Sequence, residues 1–286
     1  IGQNNGMLAI EVKGLVKRYP DKVAVDGIDL EIRKGEIFAL LGPNGAGKTT
    51  TVEILEGYRD RDAGEVLVLS QDPKNADLKW RNKIGIVLQS TKDSEELTVK
   101  EVVEHFANYY KDSRNSSEVI EAVGLTEKQN SRIETLSGGQ RRRLDVALGI
   151  IGKPEILFLD EPTTGFDPEA RRQFWVLIEK LKTEGTTILL TTHYLDEAEA
   201  LADRLAVISN GKIIEVATPK TLGNRDNAKA IVTWLENGLE KTAETNAPTK
   251  FVKELSEKFA GEIPGLKVVR PSLEDIYLKM IGSDHA

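Results

Sequence analysis

Cysteine is absent from the 286 residues. That removes disulfide frameworks, thiol catalysis and Cys-ligated zinc, and it fits a reducing compartment. Long apolar runs are also missing. Stretches such as Ile37 to Leu41 and Ile156 to Leu159 are strand-length, far short of the ~20 residues a spanning helix needs, so no membrane span is expected. The N-terminus has no basic-then-apolar signal pattern. Positive charge is in deficit, with Lys+Arg 39 against Asp+Glu 46 and a net charge of -7. That balance argues against a nucleic-acid partner. Apolar residues at 40% and charged residues at 30% describe an ordinary globular chain long enough to bury a substantial core.

Ile1 to Gly6, ahead of Met7, read as a leader or cloning remnant outside the fold. Leu8 to Val12 alternates like a strand, and Val23 to Ile32, with a turn at Gly27, reads as a hairpin or short antiparallel pair. Glu36 to Leu41 is a buried strand and Gly47 to Leu55 a helix; Glu65 to Leu69 and Ile84 to Leu88 are further strands. The rhythm then becomes helical over about 98–151. Thr98 and Glu101 form a capping box ahead of Val99 to Tyr110. Ser117 to Val123, stopped by Gly124, and Leu144 to Ile151 follow as helices.

Strand Ile156 to Leu159, helix Pro168 to Lys182 capped by Asp167, strand Thr186 to Leu190, helix Asp196 to Ala202 and strand Leu205 to Ser209 resume the alternation. Gly211 turns the chain into Lys212 to Val216. Alternation of this kind predicts an α/β fold with a mainly parallel sheet. The expected layout is one large domain over 7–222 and a C-terminal accessory region over 223–286. In the latter, Lys241 to Lys250 reads as a polar loop, Ile231 to Leu235 and Leu266 to Val269 as a small sheet, and Ser272 to Ile281 as a closing helix.

Gly42-Pro43-Asn44-Gly45-Ala46-Gly47-Lys48-Thr49, with Thr50 behind it, fits the P-loop pattern and lies between a buried strand and a helix. Glycines let backbone N–H groups approach phosphate oxygens, and the helix presents its positive end to the anion. Lys48 is expected to reach the β- and γ-phosphates, and Thr49 to ligate Mg²⁺. A guanine-specific Asn-Lys-x-Asp element is not found: Asn82-Lys83-Ile84-Gly85 lacks the Asp, so ATP is favoured. Asp160 and Glu161 end the apolar strand Ile156 to Leu159, at the sheet edge where ligands sit in open α/β folds. Successive strand residues face opposite ways, so their roles should differ: Asp160 on Mg²⁺, Glu161 on the attacking water.

Leu136-Ser137-Gly138-Gly139-Gln140, then Arg141-Arg142-Arg143-Leu144, resembles the signature of ABC ATPases. The likeness runs from about Leu8 to Thr218, in the order P-loop, Gln89, signature, carboxylates, His193. Ser137 can cap the following helix, whose Gly138 and Gly139 offer a second anion site. The resemblance implies a P-loop fold with an antiparallel β subdomain, a helical insertion and a C-terminal appendage. It implies two subunits, alike or different, that close head to tail, with each signature on the partner's ATP. It implies that Tyr19 stacks on adenine, that Gln89 senses Mg²⁺ and water and faces a permease, and that His193 contacts the γ-phosphate. Thr164-Gly165-Phe166-Asp167 resembles the loop joining the two sites, with Phe166 where Leu is usual.

Tyr194 to Glu199, and Pro271-Ser272-Leu273-Glu274-Asp275-Ile276-Tyr277-Leu278, resemble exporter ATPases of the daunorubicin-resistance type. Such subunits work with a separate permease at the inner face of the plasma membrane and export drugs, lipids, antibiotics or polysaccharides. The rival within the family is a non-transport ATPase of repair or translation. Repair types insert long coiled coils or zinc modules, and this chain has neither Cys nor sustained heptads. A non-hydrolysing ATP-binding module is the other rival, against which Glu161 and His193 stand.

Overall fold

A computed structural model describes residues 7–87, 96–259 and 261–282. The chain forms two compact units, one ending at Val216 and one beginning at Ala217.

In the first unit, β1 (Leu8–Tyr19) and β2 (Lys22–Arg33) form a long antiparallel ribbon. The expected hairpin inside Val23 to Ile32 is not there. β2 is continuous, and Gly27 (φ 75°) is skipped in the ladder between Asp26 and Ile28 as a bulge. β3 (Ile37–Leu41) is buried at every position and leads through the glycine-rich loop into α1 (Lys48–Leu55). β4 (Ala63–Val68) returns to pair with β1, completing the antiparallel sheet β2-β1-β4. α2 (Leu78–Arg81) and β5 (Ile84–Val87) follow.

The helical insertion contains α3 (Val99–Ala107), α4 (Ser116–Ala122) and α5 (Gly138–Ile150). The Thr98–Glu101 capping box is formed, with Glu101 N–H donating to Thr98 Oγ1 at 3.2 Å. α3 stops at Ala107, short of the expected Tyr110. α5 begins at Gly138, well before the expected Leu144, because Ser137 caps it. β6 (Ile156–Asp160), α6 (Pro168–Thr183), β7 (Thr187–Thr192), α7 (Leu195–Leu201), β8 (Arg204–Ser209) and β9 (Lys212–Ala217) complete the unit.

The main sheet runs β5-β6-β7-β3-β8-β9, and β5-β6, β6-β7, β7-β3 and β3-β8 all pair in parallel. β3, β6 and β7 sit side by side and point their carboxyl ends the same way. Phe38, Leu40, Phe158 and Leu189 fill the core beneath them. Burial on both faces explains why these strands read as apolar runs rather than alternating ones.

The second unit is built on β10 (Ala230–Glu236), flanked by β11 (Leu239–Thr245) and β12 (Lys267–Val269), both antiparallel to it. α8 (Pro248–Phe259) places Leu255 with Val232 and Trp234 in a small core, and α9 (Leu273–Gly282) follows. The expected loop over Lys241 to Lys250 is thus wrong. Its first half is the edge strand β11, and Pro248 opens α8, a position where a missing N–H costs nothing.

Candidate nucleotide site

The loop 42–47 is shaped by close backbone approach. A Cβ on Gly42 would lie 2.4 Å from the carbonyl oxygen of Ile208, and one on Gly47 would lie 2.4 Å from that of Ala24. Gly47 also holds φ 110°, a conformation that only glycine adopts without strain. β8 and β2 therefore press the loop from two sides, and α1 starts at its end with free N–H groups. Lys48 is 6% exposed; its ammonium donates to the carbonyls of Gly42 at 2.7 Å and Pro43 at 3.2 Å. Burial lowers its pKa, and the nearby Glu161 and Asp160 carboxylates oppose that shift. Lys22 donates to the Gly45 carbonyl at 2.6 Å and steadies the loop from β2.

An open cleft of about 480 Å³ lies over this loop. Tyr19, Asn44, Gly45, Lys48, Thr49, Thr50 and Glu161 line it. Tyr19 is 37% exposed, at the end of β1, with the Lys17 ammonium and the Arg59 guanidinium each under 6 Å from its ring centre. The lining thus brings together an aromatic ring, loop backbone and a carboxylate.

Thr49 Oγ1 stands 3.5 Å from Asp160 Oδ2, and Thr191 Oγ1 donates to the other Asp160 oxygen. Thr49 and Asp160 thus bring hard oxygen donors together, the kind that suits Mg²⁺, which takes few protein ligands and keeps its waters. Gln89, the third expected ligand, lies outside the described residues.

The strand-alternation argument for Asp160 and Glu161 needs correction. β6 ends at Asp160, and Glu161 has φ 47°, in the left-handed region. The two carboxylates part because the backbone turns there, not because a pleat continues. The Glu161 N–H donates to the Thr191 carbonyl at 3.1 Å, with Thr191 Oγ1 also 3.1 Å away, and so the turn is held by β7. His193 Nδ1 lies 3.3 Å from Glu161 Oε1, and its ring packs on Tyr194 at 4.1 Å between centroids. P-loop, carboxylates and His193 are thus gathered at the carboxyl ends of β3, β6 and β7.

Ser137, Gly138, Gly139 and Gln140 are not part of that cleft. They open α5. Gln140 N–H donates to Ser137 Oγ at 3.3 Å, and Gln140 Oε1 accepts from the Ser137 N–H at 3.0 Å. Ser137 and Gly138 are exposed, so this capped helix start faces outward. Asp167 caps α6, accepting from the N–H groups of Glu169 at 3.0 Å and Ala170 at 2.8 Å. Phe166 is buried against Phe174, edge to face at 5.8 Å, and its ring edge borders the space beside Gly139.

Two residues of this region are not singled out by the sequence reading. Arg142 is buried in α5, and its guanidinium donates to the carbonyls of Asp160 and Pro162, tying α5 to the end of β6. In sequence it is one of three consecutive arginines, and only burial distinguishes it. Glu56, just past α1, is buried with its pKa pushed up to about 8, by desolvation first and then by the Asp160 and Glu53 charges. Its spacing of four from Val52 on the buried face of α1 was the available signal.

The sequence pattern of the family described as ABC transporter matches residues 25–164. Nod factor export ATP-binding protein I of Ralstonia nicotianae is 36% identical, over 96% of this chain and 94% of its own length. Daunorubicin resistance ATP-binding protein DrrA3 of Streptomyces coeruleorubidus is 34% identical, over 96% of each. A solved dimeric, post-hydrolysis ATP-binding cassette bound to ADP and Pi superposes with a TM-score of 0.67 at 25% identity, covering 73% of this chain and 98% of its own.

Proposed function

The chain belongs to the ABC transporter family as an ATPase subunit, and we propose that two such subunits, alike or different, drive export through a separate permease. The observation that carries this reading is the meeting of Lys48, Thr49, Asp160, Glu161 and His193 at one sheet edge while Ser137 to Gly139 lie outside that cleft.

The loop amides and Lys48 bind the β- and γ-phosphates of ATP, and Tyr19 offers its ring to the adenine. Thr49 and Asp160, with Gln89, would hold Mg²⁺, which when bound neutralises charge on the phosphate oxygens. Glu161 accepts a proton from the attacking water, and His193 beside it contacts the γ-phosphate. Lys48 stabilises the charge that develops on the transferred group. The exposed start of α5 supplies N–H donors to the γ-phosphate held by the partner subunit, and Asp167 lies at the contact between the two. ATP closes the pair; losing the γ-phosphate link reopens it.

Among the described residues, no helix is long and apolar enough to cross a membrane, which is consistent with a separate permease at the inner face of the plasma membrane. The region of Gln89 and the helical insertion transmit the motion to it. The relatives are export subunits along nearly the full chain, which disfavours roles in repair or translation.

Glu161→Gln is the test. It keeps ATP affinity, loses turnover and accumulates an ATP-dependent dimer. Because the chain has no cysteine, Asn44→Cys and Ser137→Cys in that background report the contact directly: ATP yields an intersubunit cross-link. Wild-type turnover removes Glu161 from its role, and failure to cross-link at any protein concentration removes the sandwich.

A further inference from the structure

Tyr19 does not stand alone at the end of β1. The Lys17 ammonium lies 5.7 Å and the Arg59 guanidinium 5.6 Å from its ring centre, both within reach of a cation–π contact. Each cation is itself fixed. Lys17 pairs with Asp62 at 3.1 Å, and Asp62 also accepts from the Arg18 N–H and donates its own N–H to the Val16 carbonyl at 2.9 Å. Arg59 is held twice by Glu53 of α1. Its Nε donates to the Glu53 carboxylate at 2.6 Å, and its backbone N–H donates to the Glu53 carbonyl at 3.1 Å. A surface arginine ordinarily roams among its rotamers. This one is tied down through side chain and backbone together.

Neither cation lines the nucleotide cleft, whereas Tyr19 does. The ring therefore presents to the cleft a surface that they do not cover. The face of an aromatic ring carries negative charge, and two such faces laid flat on each other repel. A cation over the ring draws on that charge and eases the stacking of a second ring. It also fixes the plane of a side chain that is 37% exposed.

We propose that Arg59 is a positioning residue for the adenine base, acting through Tyr19 and held for that task by Glu53. The inference rests on the reading that Tyr19 takes the adenine. Its additional content is what makes that ring a platform. Glu53 belongs to the helix that begins at Lys48. One helix thus places the phosphates at its start and, through Glu53 and Arg59, steadies the base platform from further along. The distance between base and phosphate subsites is then set by a single rigid element.

The experiment uses the full chain and two probes, MgATP and the magnesium complex of inorganic triphosphate, which has phosphates but no base. Dissociation constants for both, and KM and kcat for ATP, are measured for wild type, Arg59→Met, Arg59→Lys, Tyr19→Ala and the Tyr19→Ala/Arg59→Met double variant. Arg59→Met is expected to weaken ATP binding and raise KM about two- to fivefold, the size of one exposed cation–π contact. Its kcat and its affinity for triphosphate stay at wild type. Arg59→Lys recovers ATP binding at least in part. Tyr19→Ala loses more, about tenfold, and the double variant binds ATP no more weakly than Tyr19→Ala alone. Wild-type ATP affinity in Arg59→Met overturns the proposal. So does an equal loss for ATP and triphosphate, which would mean a disturbed phosphate loop, and so do additive losses in the double variant. Wild-type ATP affinity in Tyr19→Ala is a different outcome, in which the adenine reading itself fails. Should Arg59→Met fail to fold, Glu53→Gln keeps Arg59 but loosens it; a loss confined to ATP supports the platform, and no loss refutes it.

Discussion

Glu161 sits in left-handed backbone, φ 47°. A non-glycine residue there costs roughly 1–2 kcal/mol in Cβ–carbonyl repulsion. Replacing it with glycine removes that strain but widens the unfolded ensemble, at about 0.4–1 kcal/mol. The net expectation is a gain of about 0.5–1 kcal/mol for Glu161→Gly over Glu161→Ala. At ~2–4 °C per kcal/mol for a unit of this size, Tm rises by about 1–4 °C. Both variants lack the carboxylate, so both lose about 10²–10⁴ in turnover. The pair is read by thermal unfolding and by phosphate release. An ordinary glycine penalty, with Glu161→Gly less stable than Glu161→Ala by about 0.5 kcal/mol or more, would refute the claim that backbone strain is stored at the catalytic turn.

Three further outcomes are expected. Lys48→Ala loses tight nucleotide binding in equilibrium titration, since the loop loses its positive charge and the donor to its Gly42 and Pro43 carbonyls; retained affinity would contradict the cradle. Arg142→Met leaves the buried Pro162 and half-buried Asp160 carbonyls without this donor and destabilises the fold by about 2–4 kcal/mol in urea unfolding. Glu56 gives a pH signature. Its folded pKa of about 8 lies above the 4.5 of the unfolded chain, so the fold loses stability as pH rises from about 4.5 to 8. Glu56→Gln lacks this slope, so the stability advantage of the variant over wild type should widen across that window; equal slopes in denaturation at pH 5 and pH 8 would sink the assignment.

The nucleotide cradle was legible in the sequence because its residues are contiguous and their spacing is chemistry. The same holds for the caps at Thr98, Ser137 and Asp167, which act within three residues of themselves. Elsewhere, polarity misled. β11 is an edge strand with mostly exposed side chains, so nothing in Lys241 to Thr245 distinguishes it from a loop. Gly27 reads as a turn, although a glycine in a strand can also be a bulge. Arg142 and Thr191 act through partners far along the chain, and no local pattern announces such contacts.

The hydrogen bonds from Arg142 to the Asp160 and Pro162 carbonyls have a mechanical meaning. They fasten the start of α5 to the end of β6. In the head-to-tail pair proposed above, each protomer would then be a stiff lever bridging both chambers. Withdrawal from one chamber would drag on the other, and the two rounds of fuel consumption would be geared together rather than run as separate engines.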